Sequence, residues 1–186
     1  SGVNIVMADK EVAVPGICGV SPNGIMPGHF GYDSGQCAIG DIFDWFVKNC
    51  VPQSYAEEAA ARGINIHTLL QEKAAALAVG ESGLVALDWW NGNRSCLMDG
   101  ELSGLMVGMT LQTTAAEMYR ALIEGICYGM RRMVDSYTEK GFEINMLNTC
   151  GGISFKNPLL MQILSDVTNL PVRMSKNVPA PAVGMC

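Results

Sequence analysis

Apolar residues recur every three or four positions along several stretches of the chain, with short apolar runs and glycine- or proline-rich segments between them. From Gln36 to Asn49, Ile39, Ile42, Phe43 and Phe46 fall on one face and Asp41, Asp44 and Lys48 between them, which predicts an amphipathic helix. Ser54 to Arg62 reads as a second helix, opened by Ser54 as N-cap with Glu57 three residues on. A third runs from Asn65 to Val79, where Ile66, Leu69, Leu70, Ala74 and Leu77 align. The longest spans Thr114 to Glu139: Thr114 and Glu117 form a capping box, and Met118, Leu122, Gly125, Gly129, Met133 and Tyr137 make one stripe. Glycine inside a helix costs about 1 kcal/mol, so Gly125 and Gly129 predict the close approach of another element on that face.

Strands are expected around these helices. Residues 3–7 and 11–14 read as a hairpin about the polar turn Ala8-Asp9-Lys10-Glu11. Pro15, Gly16, Gly19, Pro22, Gly24, Pro27, Gly28, Gly31 and Gly35 rule out a long helix over 15–35 and predict a loop with tight turns. Leu84 to Trp90 is an apolar strand breaking into Asn91-Gly92-Asn93-Arg94-Ser95. Ile144 to Cys150 is another; it ends at Gly151-Gly152, and a short loop leads to Asn157-Pro158, the polar cap and first-turn proline of a helix through Leu160, Ile163, Leu164 and Val167. Pro171 to Met174 is a last strand. The alternation predicts an α/β fold, a mixed sheet flanked by helices.

Composition narrows the function classes. At 186 residues, 49% apolar and 16% charged, the chain suits one well-buried domain. A net charge of −6 without a Lys/Arg cluster argues against a nucleic-acid partner. The seven cysteines include no C-x-x-C pair, which fits reduced thiols better than a disulfide framework or a zinc site. His29 and His67 stand apart without companion ligands, and no metal site is expected. No run approaches the ~18 apolar residues of a membrane span, and residues 1–20 lack a signal-peptide pattern, so a cytoplasmic location with no membrane partner is expected. Both ends read as cut, the first strands lacking a preceding partner and the last residues standing where a further helix would start.

Three segments carry candidate chemistry. The strand, Gly151-Gly152 turn and capped helix after it could set backbone N–H groups against a phosphate or ribose, or could be an ordinary turn. Asp33, on a glycine-flanked segment before a helix, could accept hydrogen bonds from sugar hydroxyls or cap that helix; local pattern alone favours the cap. In Asp88-Trp89-Trp90-Asn91-Gly92-Asn93-Arg94-Ser95 the tryptophans suit packing anchors, and Arg94 suits an ion pair with Asp88 or Asp99 more than a phosphate contact.

Together these segments resemble the FGGY carbohydrate kinases. Gly104-Leu-Met-Val-Gly108-Met109, seven residues, then Glu117-Met118-Tyr-Arg-Ala121-Leu122-Ile123-Glu124 fits that family's carboxy-terminal signature at every defined position. Within the family, Val14-Pro-Gly-Ile-Cys-Gly19, the Gly35-Gln-Cys-Ala-Ile-Gly-Asp41 run, Asp88 to Ser95 and Cys150-Gly-Gly-Ile-Ser-Phe-Lys-Asn-Pro158 most resemble L-ribulokinases. The resemblance implies an actin-like, ribonuclease H-like ATPase fold in which two domains close over ATP and sugar. It implies ATP-dependent phosphorylation of a ketopentose, L-ribulose to L-ribulose 5-phosphate in L-arabinose catabolism, with Mg²⁺. Alternatives are another FGGY sugar or polyol kinase, acting on D-ribulose or xylulose for example, and a non-catalytic actin-like nucleotide-binding module. It further implies that Gly151, Gly152 and Asn157 contact the adenosine side of ATP, that Gly40 and Asp44 border the nucleotide, and that Asp33 stands where ribulokinases carry a glutamate that binds sugar. Residues 1–186 would be part of the carboxy-terminal domain; the amino-terminal domain, which carries the first phosphate loop, the metal-binding aspartate and the catalytic base, would be a partner outside this chain. No catalytic residue is therefore assigned here, the chain alone is expected to be inactive, and a homodimer is left open.

Overall fold

In the computed structural model, which describes residues 2–175, the first expected strand forms but its partner differs. β1 (Gly2–Ala8) pairs antiparallel with β3 (Phe30–Gln36), from Gly2↔Gln36 to Ala8↔Phe30, and β2 (Gly19–Pro22) lies on the other side of β3. Residues 11–14 make no strand. The Tyr32 hydroxyl accepts from the Val12 N–H at 2.7 Å, and Val14 and Ile17 turn inward onto Tyr32 and Tyr137, so side-chain packing replaces a ladder there. The glycine-rich stretch 15–35 likewise is a hairpin and not a loop. Its tip closes through Asn23 N–H to His29 C=O at 2.8 Å and Gly28 N–H to the Asn23 side chain at 2.7 Å.

α1 (Ile39–Cys50) buries Ile39, Ile42, Phe43 and Phe46, the face read from the spacing. α2 (Gln53–Ala61) begins after Pro52, without a side-chain cap, which places Ser54 inside the helix and corrects its expected capping role. α3 (Ile66–Ala75) is capped by Asn65, whose side chain accepts from the His67 N–H at 2.8 Å. β4 (Val85–Leu87) pairs antiparallel with β5 (Leu105–Val107), a strand formed by the first half of the signature. α4 (Ala115–Thr138) has the full capping box: the Thr114 hydroxyl accepts from the Glu117 N–H, and Glu117 Oε2 accepts from the Thr114 N–H at 2.6 Å. β6 (Leu147–Thr149) leads to α5 (Gly152–Lys156), a short helix where a loop was expected, then α6 (Pro158–Thr168) and β7 (Val172–Met174), which runs parallel to β6.

The strands form three small sheets among the described residues, and α4 organises them. Its one side packs with α1, α3, α6 and β4 around Phe46, Leu70, Leu122, Ile123, Ile126 and Leu160. Near its end Tyr137 joins Tyr32 and Phe142 in a smaller cluster, with Tyr32 and Phe142 edge to face at 5.1 Å. The two helical glycines sit at the predicted close approaches: a methyl on Gly125 would lie 2.5 Å from the Ala86 carbonyl oxygen of β4, and one on Gly129 would lie 2.5 Å from Gln36 Nε2 at the end of β3. No described helix is long and apolar enough to cross a membrane.

Candidate functional site

Alternation along β3 buries Tyr32 and Ser34 on one face and turns Asp33 to the other. The segment after Asp88 then folds back toward it. Gly92 has φ 74°, and a methyl there would stand 2.7 Å from Gly100 Cα, so only glycine lets the two stretches touch. Asn93 and Asp99 exchange backbone hydrogen bonds of 2.8 and 2.9 Å, and the Asn93 side chain accepts from the Leu97 N–H at 3.0 Å. The resulting bend delivers Arg94 to β3, where its Nη2 donates to Asp33 Oδ2 at 2.6 Å. Two further bonds hold the loop to the hairpin: Gly35 N–H to Ser95 Oγ at 2.8 Å and the Cys18 thiol to the Arg94 carbonyl at 3.1 Å. The Asp33 carboxylate, with the Cys18 hydrogen bond second, pushes the Arg94 pKa up, and both side chains are half-exposed.

Asp33 thus lies on a strand and caps nothing. The N-cap of α1 is Ala38, at φ 60° with no side-chain cap bond, which removes the capping role favoured by local pattern. Arg94 does make an internal ion pair, but with Asp33 and not with Asp88 or Asp99. Asp33 Oδ1 is buried and has no hydrogen-bond partner. On the Arg94 side of the pair lies a wide-open cavity of about 360 Å³ lined by Cys18, Cys37, Asn91, Asn93, Arg94, Met98 and Gly100, within the usual range of roughly 300–1,000 Å³ for small-molecule sites. Trp90 is an anchor, as expected, stacked edge-on with Trp45 at 4.7 Å.

The nucleotide candidates stand on two other segments. Gly151 takes φ 91° and ψ 169°, a conformation that disfavours any side chain. A methyl built on Gly151, Gly152 or Gly40 would meet no atom within 4 Å, so all three border open space. Thr149, at the end of β6, has a buried hydroxyl without a partner. Asn157 is only 3% exposed, and its side-chain oxygen accepts from the Leu160 N–H at 2.9 Å as the cap of α6. Asp44 is exposed and pairs with Lys48 at 2.6 Å. Gly40 and Asp44 ride on α1 and the diglycine turn leads into α5 and α6; α1 and α6 both pack on α4.

Sequence reasoning missed the pairing of Gln36 with Asp88, at 2.5 Å between Nε2 and Oδ2, deep behind Arg94. Burial pushes the Asp88 pKa up to about 6, against smaller lowering effects of the Gln36 side chain and the residue's own N–H. The available signal was Gly129, whose place in the α4 stripe announced a close neighbour without naming it.

The chain matches the model of the FGGY family of carbohydrate kinases, C-terminal domain, over residues 1–186. It is 50% identical over 181 residues to a ribulokinase of Shouchella clausii, covering 97% of this chain and 32% of that protein. To a ribulokinase of Halalkalibacterium halodurans it is 51% identical over 181 residues, with the same coverages of 97% and 32%. The chain thus spans about a third of the length of these curated relatives. Among solved structures, a xylulose kinase from Rhodospirillum rubrum superposes with a TM-score of 0.76 at 22% identity, covering 100% of this chain and 37% of that one. Plasmodium falciparum glycerol kinase with ADP gives 0.73 at 21% identity, covering 98% and 35%. These likenesses bear out the actin-like α/β fold, and with the full-length family match they close the question of kinship: the chain belongs to the FGGY family of carbohydrate kinases.

Proposed function

We propose that the longer protein of which this chain forms a part phosphorylates L-ribulose to L-ribulose 5-phosphate with ATP, and that this chain supplies the adenosine side of the site and one wall of the sugar site. The observation that carries the sugar wall is the Asp33–Arg94 pair: Arg94 lines an open cavity and holds one Asp33 oxygen, while the other, Oδ1, lies buried without a hydrogen-bond partner. The Arg94 bond holds the carboxylate in place, and a small local opening would offer its second oxygen as an acceptor to a sugar hydroxyl. Aspartate is one methylene shorter than the glutamate usual in ribulokinases, so the sugar sits correspondingly closer to β3.

The residues present fit a nucleotide. Gly40, Gly151 and Gly152 leave open space against the backbone, and the unpartnered Thr149 hydroxyl ends β6 beside the diglycine turn. Asn157 contributes by capping α6 and so fixing that turn, and Asp44 on α1 lies one helical turn beyond Gly40. ATP supplies the phosphoryl group and Mg²⁺ offsets the phosphate charge. In keeping with the family resemblance, we assign the metal's protein ligands and the catalytic base to the remainder of the longer polypeptide. A cytoplasmic location fits the free thiols of Cys18, Cys37, Cys50, Cys96, Cys127 and Cys150.

The test is a coupled ADP-release assay on the full-length protein with L-ribulose, D-ribulose, xylulose and glycerol, wild type against Asp33→Ala. L-ribulose is expected to give the highest kcat/KM, and Asp33→Ala to raise the sugar KM by about tenfold or more while leaving the KM for ATP alone. An unchanged sugar KM removes Asp33 from the site, and preference for another acceptor refutes the ribulokinase assignment. This chain alone is expected to release no sugar-dependent ADP.

A further inference from the structure

Gln36 ends β3 three residues after Asp33, and Asp88 opens the loop that carries Arg94; each is 7% exposed. Both hydrogens of the Gln36 amide nitrogen are engaged, one with Asp88 Oδ2 at 2.5 Å and one with the Ile126 carbonyl of α4 at 2.8 Å. Turning the amide over would set its oxygen against the Ile126 carbonyl, acceptor against acceptor, so the partners determine its orientation. Oε1 is left buried with no partner. Against this pair lies a partly open space of about 20 Å³ bounded by Gly35, Gln36, Asp88, Asn93, Ser95 and Gly129, larger than the roughly 10–15 Å³ one water needs. Gly129 keeps that space open, since a methyl there would stand 2.5 Å from Gln36 Nε2 and 3.0 Å from Asp88 Oδ1.

We propose that this space holds one water bound to Gln36 Oε1, and that Gln36, Asp88 and the water together clamp the strand carrying Asp33 to the loop carrying Arg94, making Gln36 and Asp88 positioning residues of the sugar site. A buried carboxylate is tolerated only while hydrogen-bonded, and Gln36 is the side-chain donor to Asp88. Without that donor Asp88 turns toward water, and Arg94, six residues along the same loop, moves with it. The placement of the water stands on geometry alone; the effect on sugar rests on the proposed role of Asp33.

The experiment uses the full-length protein. A crystal structure of the wild type is expected to show a water within hydrogen-bond distance of Gln36 Oε1; a dry space or an inverted amide overturns the proposal. Gln36→Met keeps length and removes both donors, and it is expected to raise the sugar KM about tenfold with the ATP KM unchanged. Asp88→Leu should show the same split and Asp88→Asn, which keeps an acceptor for Gln36, should recover most of it. A loss of thermal stability with both KM values unchanged overturns the positioning role. Should Gln36→Met not fold, Gly129→Ala retains both polar partners, gains helix propensity and is expected to give the same split. If Asp33→Ala leaves the sugar KM unmoved, it is the reading of Asp33 that fails, and the clamp is then judged by the Gln36→Met structure: an Arg94–Asp33 separation beyond hydrogen-bond distance upholds it, and an intact pair overturns it.

Discussion

Replacing Gly125 by alanine in the middle of α4 sets two effects of opposite sign against each other. Alanine in a helix interior gains about 1 kcal/mol over glycine, and for a solvent-facing position that would be the whole result. Gly125 faces β4 instead: the new Cβ would lie 2.5 Å from the Ala86 carbonyl oxygen, 3.1 Å from the Ala86 carbonyl carbon and 3.4 Å from its Cβ. The nearest atom belongs to backbone, so relief requires β4 to move as a unit away from the core that Ala86 helps fill. Overpacking of a dense core costs typically 1–3 kcal/mol, and a backbone clash belongs at or above the upper end, leaving a net destabilisation of about 1–2 kcal/mol. For domains of this size that corresponds to a fall in Tm of about 2–8 °C. Thermal unfolding of the full-length protein, followed by the circular dichroism of the helices, measures it. Gly40→Ala is the control, because its methyl meets open space within α1, and its Tm should be unchanged or higher. A Gly125→Ala protein at least as stable as wild type would refute the claim that β4 presses on α4.

Two more outcomes follow from the same geometry. The folded pKa of Asp88 is raised from 3.8 to about 6, so between those values the native state holds a proton that the unfolded state has lost; stability is fullest below the lower value and declines as pH rises to about 6. The Tm advantage of Asp88→Asn over wild type should therefore grow from pH 4 to pH 6 and then level off, and a difference independent of pH would mean that Asp88 ionises normally. Asn157→Ala should lower Tm through loss of the α6 cap, an effect of about 1 kcal/mol, whereas Asn157→Asp keeps the acceptor for the Leu160 N–H and should hold it; equal losses in both would deny the cap.

Elements whose determinants are local were legible in the sequence. The Thr114 and Glu117 box, the Asn157-Pro158 start and the buried face of α1 each depend on residues within a few positions of one another, and each forms as read. What escaped depends on residues far apart. The partner of β1 is 22 to 34 positions downstream because Tyr32 draws residues 12–17 into its own cluster, and nothing in the run 11–14 encodes that. The Asp33–Arg94 pair spans 61 positions and Gln36–Asp88 spans 52; local pattern could nominate these residues but not match them. Gly125 and Gly129 are the intermediate case, announcing contacts whose identity only the assembled fold supplies.

The signature that made the family recognisable consists of scaffolding. Gly104 leaves room for the Trp90 ring, Gly108 at φ 96° passes the Gly83 carbonyl, Glu117 closes the start of α4, and Glu124 holds buried Arg120. None of these residues lines the cavity beside Arg94. A descendant that had lost its chemistry but kept its shape would carry the motif intact, so the pattern certifies ancestry and not competence to act on a sugar.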